Sequence, residues 1–184
     1  MKPGTLLISQ PFLGDPNFER SVVLLCRDEP SGTFGLVLSR PTELTLNDVL
    51  ELTLGSHSPA AALPLYLGGP VEPDTLHCLH RRSDVPDAVP LGDGVYWGGD
   101  FDVLLDLLTS GAAGAADVRL FVGYSGWSQG QLAAELQAHS WVTHPASAGK
   151  VFTLEPDAFW RVILREKGGR FKAWSNYPVD PRLN

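Results

Sequence analysis

The sequence has 184 residues, of which 43% are hydrophobic and 19% are charged, a composition typical of a globular chain with a buried core. Its formal net charge of −7 argues against nucleic acid as the main partner, because surfaces that bind nucleic acid are usually basic. No apolar run reaches the roughly 18 residues that a membrane span needs, and the first residues make a poor signal peptide, so we expect a cytoplasmic protein without membrane contact.

The first third of the chain predicts mainly β-strands. Short apolar stretches of strand-like composition occupy residues 5–9, 21–26 and 33–39. The turn-rich sequence EPSG separates the last two stretches and indicates a β-hairpin. Between the first two stretches, Asp15 followed by proline is typical of the start of a helical turn.

The middle of the chain predicts short helices between strands. Thr45 has the position of an N-cap in PTELTLNDVLEL, and Asp100 has the same position before FDVLLDLL. Residues 83–93 carry two prolines and three aspartates and predict a surface loop. Further strands are predicted over residues 63–67, 74–81 and 94–97.

The last third predicts a buried strand over residues 118–124, a helix that begins at Ser128, and a helix over residues 157–167. The mixed order of strands and helices is less regular than in a Rossmann fold. It predicts an α/β (mixed α+β) fold with residues 1–184 in a single domain.

The sequence GWSQG fits G-x-S-x-G, the pattern of a hydrolase nucleophile elbow at Ser128. The usual order of an acid and then a histidine after the serine is not found, although geometry rather than order defines a catalytic triad. Ser128 and Gln131 also form an S-x-x-Q capping box, with Trp127 and Leu132 placed as its hydrophobic staple. A helix cap is the favoured role for Ser128, and a ligand contact and a catalytic nucleophile are the alternatives.

Metal-binding and cofactor-binding patterns are weak. His77, Cys78 and His80 lie within four residues, but in a strand the two histidines point to opposite faces, and no second group of ligands accompanies them. The sequence has no phosphate-binding loop, no dinucleotide-binding fingerprint and no zinc spacing. We therefore expect no metal and no cofactor, and we expect Cys26 and Cys78 to be buried free thiols.

Glycine-rich segments with aromatic neighbours end several predicted strands and suggest where a ligand could bind. They include GGD at residues 98–100 and GYSGW at residues 123–127, where bare backbone could meet a ligand or could simply pack closely. Two arginines at strand edges could join them, or could form buried ion pairs with Asp15 or Asp100. The candidate ligand-binding residues are Asp15, Arg20, Arg40, Trp97, Asp100, Ser125 and Trp127.

Several motifs together resemble the AlgH-like family of small bacterial proteins. They follow one another over nearly the whole chain, as GTLLISQPFLGDPNFERSVVLL, FGLVLSRP, LYLGGPVEPDTLHCLH, GVYWGGD, GYSGWSQGQLAAEL and YPVDPRLN. The resemblance implies one cytosolic domain with a β-barrel-like sheet flanked by helices. It implies no established activity, although the family takes its name from a suggested role in transcriptional regulation. The position of Ser128 often carries glycine in that family, which is compatible with an N-cap and argues against a nucleophile.

These observations predict a non-enzymatic cytosolic protein that binds a small ligand or a protein partner, with a role in regulation. One alternative is a DNA-binding transcriptional regulator, for which the helix with Arg161 and Arg165 is the only basic candidate. The other alternative is a serine hydrolase that uses Ser128.

Overall fold

The computed structural model of the chain describes residues 1–50 and 58–178. The described residues form a mixed sheet of ten strands and six helices. The strands are β1 (Thr5–Ser9), β2 (Val22–Glu29), β3 (Gly32–Val37), β4 (Pro41–Thr45), β5 (Pro64–Leu67), β6 (Val71–His80), β7 (Val89–Gly92), β8 (Val95–Trp97), β9 (Val118–Trp127) and β10 (Trp141–Pro145). The helices are α1 (Leu46–Val49), α2 (Phe101–Thr109), α3 (Gln131–Gln137), α4 (Ala148–Thr153), α5 (Pro156–Lys167) and α6 (Gly169–Trp174). None of these helices is long and apolar enough to cross a bilayer.

Strand β9 lies at the centre of the sheet. The main strand order is β10-β1-β2-β3-β9-β6-β8-β7, and β5 pairs with β9 in parallel while β4 pairs with β5. The other pairings are antiparallel, so the mixed α+β class predicted from the sequence is confirmed. The order has two ends, β10 and β7, and the described sheet is therefore open rather than closed into a barrel.

Both faces of the sheet are covered, which explains why β2 and β9 are apolar along most of their length. On one side Phe159 and Ile163 of α5 pack into the larger part of the core. On the other side Leu104 and Leu108 of α2 pack into a second part. Cys26 and Cys78 are buried free thiols, as the sequence predicts, and burial raises the pKa of Cys78 to about 11.

The elements predicted from strong apolar patterns are present, and the shorter ones were missed. The hairpin of β2 and β3 and the cap of α2 by Asp100 are confirmed. The expected loop over residues 83–93 is wrong in part, because β7 adds to β8 there as the last strand of the sheet. Strands β4 and β10 and helices α4 and α6 were not predicted from the sequence either. The predicted turn EPSG joins β2 to β3, whereas the last two residues of the PTELTLNDVLEL segment fall outside the described residues.

Candidate functional site

Strand β9 runs without a break through the segment that was expected to be a glycine turn. Ser125 and Trp127 pair with Gly35 and Thr33 of β3, so the GYSGW segment belongs to the sheet. A nucleophile elbow requires the chain to turn sharply at the serine, directly between a strand and a helix. Here two further residues separate Ser128 from the first residue of α3, Gln131.

The start of α3 differs in detail from the predicted capping box. Gly130 is the N-cap, with φ 78, and the helix begins at Gln131 rather than directly after Ser128. The side chain of Gln131 does reach back, because the backbone N–H of Ser128 donates to Gln131 Oε1 over 3.0 Å. The Ser128 hydroxyl donates to the same oxygen over 3.2 Å, and among the described residues no histidine hydrogen-bonds it.

A carboxylate on α3 holds two tryptophans together. Glu135 Oε2 accepts the indole N–H of Trp127 over 2.9 Å and that of Trp141 over 2.7 Å. Glu135 Oε1 accepts from the Gln131 amide over 2.9 Å. Three of the roughly four acceptor positions of this carboxylate are therefore filled by fixed donors, which fixes its orientation.

Phe18 completes an aromatic cluster with the two indoles. Its ring centroid lies 6.1 Å from that of Trp127 and 5.6 Å from that of Trp141, and the two indoles are 6.0 Å apart in an edge-on arrangement. Asp15 holds the turn that carries Phe18, because its carbonyl accepts from the Phe18 N–H and its carboxylate accepts from the Asn17 N–H. The predicted cap at Asp15 is thus a real turn that positions an aromatic ring.

These residues line a pocket of about 220 Å³, which we call the indole pocket. Its walls include two carboxylates, those of Asp15 and Glu135, and the three aromatic rings of Phe18, Trp127 and Trp141. No lysine, arginine or histidine of the described chain lines it. The indole pocket is therefore an acidic, aromatic space that favours positive charge.

The two arginines predicted as ligand contacts are engaged with backbone instead. Arg20 Nη2 donates to the carbonyls of Tyr177 and Pro178, and its guanidinium lies 4.9 Å from the centroid of the Trp160 ring. Arg40 Nη2 donates to the carbonyl of Pro16 over 2.8 Å and so supports the turn at Asp15. Within residues 1–50 and 58–178 neither arginine forms an ion pair, so the expected pairing with Asp15 or Asp100 is wrong.

The remaining candidate residues are spread over other parts of the molecule. The Asp100 carboxylate accepts from the backbone of residues 102 and 103 and caps α2. Ser125 is fully buried, and its hydroxyl donates to the Gly68 carbonyl over 3.0 Å. Trp97 lines a separate cavity of about 310 Å³ together with His77 and Cys78. Of the seven candidates, Asp15 and Trp127 line the indole pocket together, and Trp97 lines the separate cavity.

Of the two histidines of β6, His80 is held by hydrogen bonds, whereas the buried Nε2 of His77 has no hydrogen-bond partner among the described residues. The His80 Nδ1 accepts from the Arg82 N–H over 3.2 Å, which leaves the proton on Nε2, 2.9 Å from the Gly98 carbonyl. Burial lowers the pKa of both His77 and His80. In the described part of the chain, no group of three or more histidine, cysteine or acidic side chains could hold a metal ion.

Sequence reasoning missed Phe18, Glu135 and Trp141 as parts of the site. The signal for Glu135 was its spacing from Gln131, because residues four apart lie on the same face of a helix. Trp141 had no such signal, since its place beside Trp127 depends on the pairing of β10 with β1. Pairing between strands that lie far apart in the sequence cannot be predicted from a local sequence pattern.

A family model described as AlgH-like matches residues 6–172 of the chain. The chain is 46% identical over 183 residues to a UPF0301 protein of Cytophaga hutchinsonii, with 98% of each chain covered. It is 42% identical over 185 residues to a UPF0301 protein of Chlorobaculum tepidum, with all of this chain and 96% of the relative covered.

Two solved structures have a similar fold. The solution structure of the AlgH protein from Pseudomonas aeruginosa matches with a TM-score of 0.76 and 28% identity, over 96% of this chain and 94% of that one. The crystal structure of a protein from Corynebacterium diphtheriae matches with a TM-score of 0.75 and 23% identity, over 96% of this chain and 93% of that one. The similarity to the Corynebacterium diphtheriae protein supports the fold alone.

Proposed function

The chain belongs to the AlgH-like family, and we propose that this member acts by binding a small organic cation in the indole pocket rather than by catalysis. The observation that carries the proposal is the Glu135 carboxylate, which two indole N–H groups hold in place at the wall of an acidic, aromatic pocket. We place this binding in the cytoplasm. A protein that binds a ligand without consuming it can serve regulation by responding to the ligand concentration.

Charge and shape both support a cationic ligand. An ammonium or guanidinium group gains electrostatic energy from the carboxylates and from the faces of aromatic rings. Asp15 Oδ2 makes no hydrogen bond within the described residues, so an acceptor is available there. The pocket volume of about 220 Å³ lies below the roughly 300–1,000 Å³ of sites for drug-sized ligands, so the ligand is small.

The proposal is tested with 2-phenylethylammonium, a ring with a short cationic arm. We expect it to quench or shift tryptophan fluorescence with a Kd of about 1 mM or tighter. Phenylacetate has the same ring and a similar size but opposite charge, and we expect it not to bind in this pocket. Equal binding of both compounds, or no binding of the cation, would contradict the proposal.

The variant Asp15→Asn tests the pocket itself. Asparagine can still accept from the Asn17 N–H, so the turn is kept while the charge is removed. We expect the affinity for 2-phenylethylammonium to fall by about fivefold to tenfold, which corresponds to one charge-assisted contact. Asp74→Asn is the matched control, because Asp74 is exposed on β6 and does not line the pocket. The Asp74→Asn variant should bind 2-phenylethylammonium with the same affinity as the natural protein.

The alternative of a DNA-binding regulator depends on α5. This helix uses Phe159, Trp160 and Ile163 in the core, and Arg165 Nε donates to the Ser175 hydroxyl over 3.4 Å. The exposed face of α5 carries Arg161 and Arg165 together with Asp157 and Glu166, so it is only partly basic and makes a weak footprint for DNA. Binding to duplex DNA that weakens steeply as salt is added would nevertheless favour this alternative over ligand binding.

A further inference from the structure

A second pocket shares Gly126 and Trp127 with the indole pocket, but its charge is opposite. It has a volume of about 330 Å³ and lies where the β2–β3 hairpin meets the end of β9. Its single ionised lining residue is Arg27, and no described carboxylate lines it. We call it the Arg27 cleft, and define it by Arg27, Ser31, Phe34, Tyr124, Gly126 and Ser128.

A β-bulge in β2 directs Arg27 into this cleft. The register pairs Leu25 with Gly35 but Arg27 with Phe34, so Cys26 is the extra residue. Without the bulge, alternation would place Arg27 on the face opposite Cys26, away from Phe34. A bulge changes where a side chain points, and here it brings the guanidinium over the Phe34 ring.

Aromatic rings keep the Arg27 guanidinium in place. Its Cζ lies 5.8 Å from the centroid of Phe34 and 6.0 Å from that of Trp97. Both distances are within the range of a cation–π interaction. An exposed arginine is normally free to move, so this support lowers the entropy cost of holding it for a ligand.

The donors of Arg27 are largely unused by the protein. Its ion pair with Glu29 joins Nε to Oε2 over 3.9 Å, and both side chains are about half exposed, so the pair contributes little. Among the described residues Arg27 makes no hydrogen bond that would block the fork of its guanidinium. Ser31 and Tyr124 add hydroxyl groups to the same walls, and the Ser128 hydroxyl can join them once its proton leaves Gln131 Oε1.

A stacked pair of aromatic rings lies beside this cation. The rings of Phe34 and Tyr124 are stacked, with centroids 4.6 Å apart and planes at 25°. A Cβ on Gly126 would lie 3.3 Å from Cε2 of Tyr124, so glycine at this position leaves the space next to the ring open. A planar ligand ring can pack against such a pair beside Tyr124, in the space that Gly126 leaves open.

We propose that the Arg27 cleft binds a small planar ligand that carries a phosphate or carboxylate group. The anionic group is held by the Arg27 guanidinium and the wall hydroxyls, and the ring of the ligand packs against Phe34 and Tyr124. The fork of a guanidinium matches the two oxygens of either anion. This site is distinct from the cation site in the indole pocket, although the two pockets share Gly126 and Trp127.

The test uses phenyl phosphate, with phenol and inorganic phosphate as the two halves of the probe. We expect phenyl phosphate to bind more tightly than either half by at least about tenfold, and to shift the backbone amide signals of Gly32 and Ser128 in NMR spectra. Equal binding of inorganic phosphate, or signal changes confined to other parts of the protein, would overturn the proposal.

Arg27→Gln should weaken phenyl phosphate binding by at least about tenfold, and Arg27→Lys should restore part of it, because lysine keeps the charge but not the fork. Arg170→Gln is the matched control, since Arg170 also lies over a phenylalanine ring, 5.0 Å from the centroid of Phe171, outside the cleft. Unchanged binding by Arg27→Gln, or an equal loss in Arg170→Gln, would overturn the proposal. Binding of 2-phenylethylammonium should be the same in Arg27→Gln as in the natural protein, which separates this test from that of the indole pocket.

Discussion

Residues 98–100 and residues 123–127 are two glycine-rich segments that each come after an apolar run in the sequence and before a helix. In the first, the chain leaves β8 at Trp97, turns, and enters α2 at Phe101 with Asp100 as the cap. In the second, the chain stays in β9 as far as Trp127, and α3 begins only at Gln131. The same residue type therefore permits a turn in one place and close packing of strands in the other.

The surroundings of the two glycines explain this difference. Gly98 and Gly123 have nearly the same backbone angle, φ 69 and φ 66. A Cβ on Gly98 would have no atom within 4 Å, whereas a Cβ on Gly123 would lie 2.6 Å from the Gly69 carbonyl oxygen. A Cβ on Gly68 would lie 2.2 Å from the carbonyl oxygen of Gly123, so the GGPV and GYSGW motifs pack backbone against backbone.

The largest expected effect is that of alanine at Gly123. At both positions alanine would have a positive φ, which lowers the free energy of unfolding by about 1–2 kcal/mol. At Gly123 it also overlaps fixed backbone, which adds about 1–3 kcal/mol. We therefore expect Gly123→Ala to lower the free energy of unfolding by about 2–5 kcal/mol, and Gly98→Ala by about 1–2 kcal/mol, in urea titrations monitored by circular dichroism.

Gly98→Ala serves as the control for backbone strain alone, because the two glycines differ in space and hardly in φ. Equal losses in both variants would mean that strain dominates and that the close approach of β9 to Gly69 is unimportant. That result would remove the physical distinction between the two segments.

The two segments also differ in how acid should affect them. The Gly98 carbonyl accepts from the buried His80, whereas the Gly68 carbonyl beside GYSGW accepts from the Ser125 hydroxyl, which does not titrate. Burial holds the pKa of His80 below its usual value of 6.5. As the pH falls below that value, the unfolded chain binds a proton that the folded chain does not, so stability is lost on acidification, by at most about 1.4 kcal/mol per pH unit for this group.

His77 and His144 add to the same loss of stability on acidification, because burial lowers the pKa of both. We expect His80→Gln to reduce the loss of unfolding free energy between about pH 7 and pH 5. His139→Asn is the control at an exposed position with positive φ, which asparagine tolerates, and it should keep the natural slope. An unchanged slope in His80→Gln would contradict the assigned role of His80.

The parts of the structure that were predictable from sequence are those where a local pattern decides the outcome. Asp100 before an apolar helix and the continuous apolar run of β2 are such patterns, and both elements formed as expected. The turn expected at GYSGW was wrong because its glycines are required by contact with Gly68 and Gly69, more than fifty residues earlier in the chain. The candidate site was dispersed for the same reason, since only long-range pairing decides that Trp141, and not Arg20 or Trp97, lies beside Trp127.

The smallest expected effects come from the two residues predicted as helix caps. Asp100 Oδ1 accepts from two backbone N–H groups, 3.0 Å from Asp102 and 3.2 Å from Val103, and its charge lies at the positive end of α2. We expect Asp100→Ala to lower the free energy of unfolding by about 1 kcal/mol. The Ser128 hydroxyl donates to an exposed side chain and caps no backbone group, so Ser128→Ala should cost no more than a few tenths of a kcal/mol.

Urea unfolding of both variants under the same conditions measures the difference. A loss near 1 kcal/mol for Ser128→Ala would mean that its hydroxyl does cap α3 in solution, and would support the capping box that the sequence suggested. A small loss agrees with the Gln131 side chain and the Gly130 backbone as the groups that start the helix. Serine would then be dispensable for stability at this position. Its remaining role would be as one of the hydroxyl groups on the wall of the Arg27 cleft. We therefore expect Ser128→Ala to weaken phenyl phosphate binding less than Arg27→Gln does.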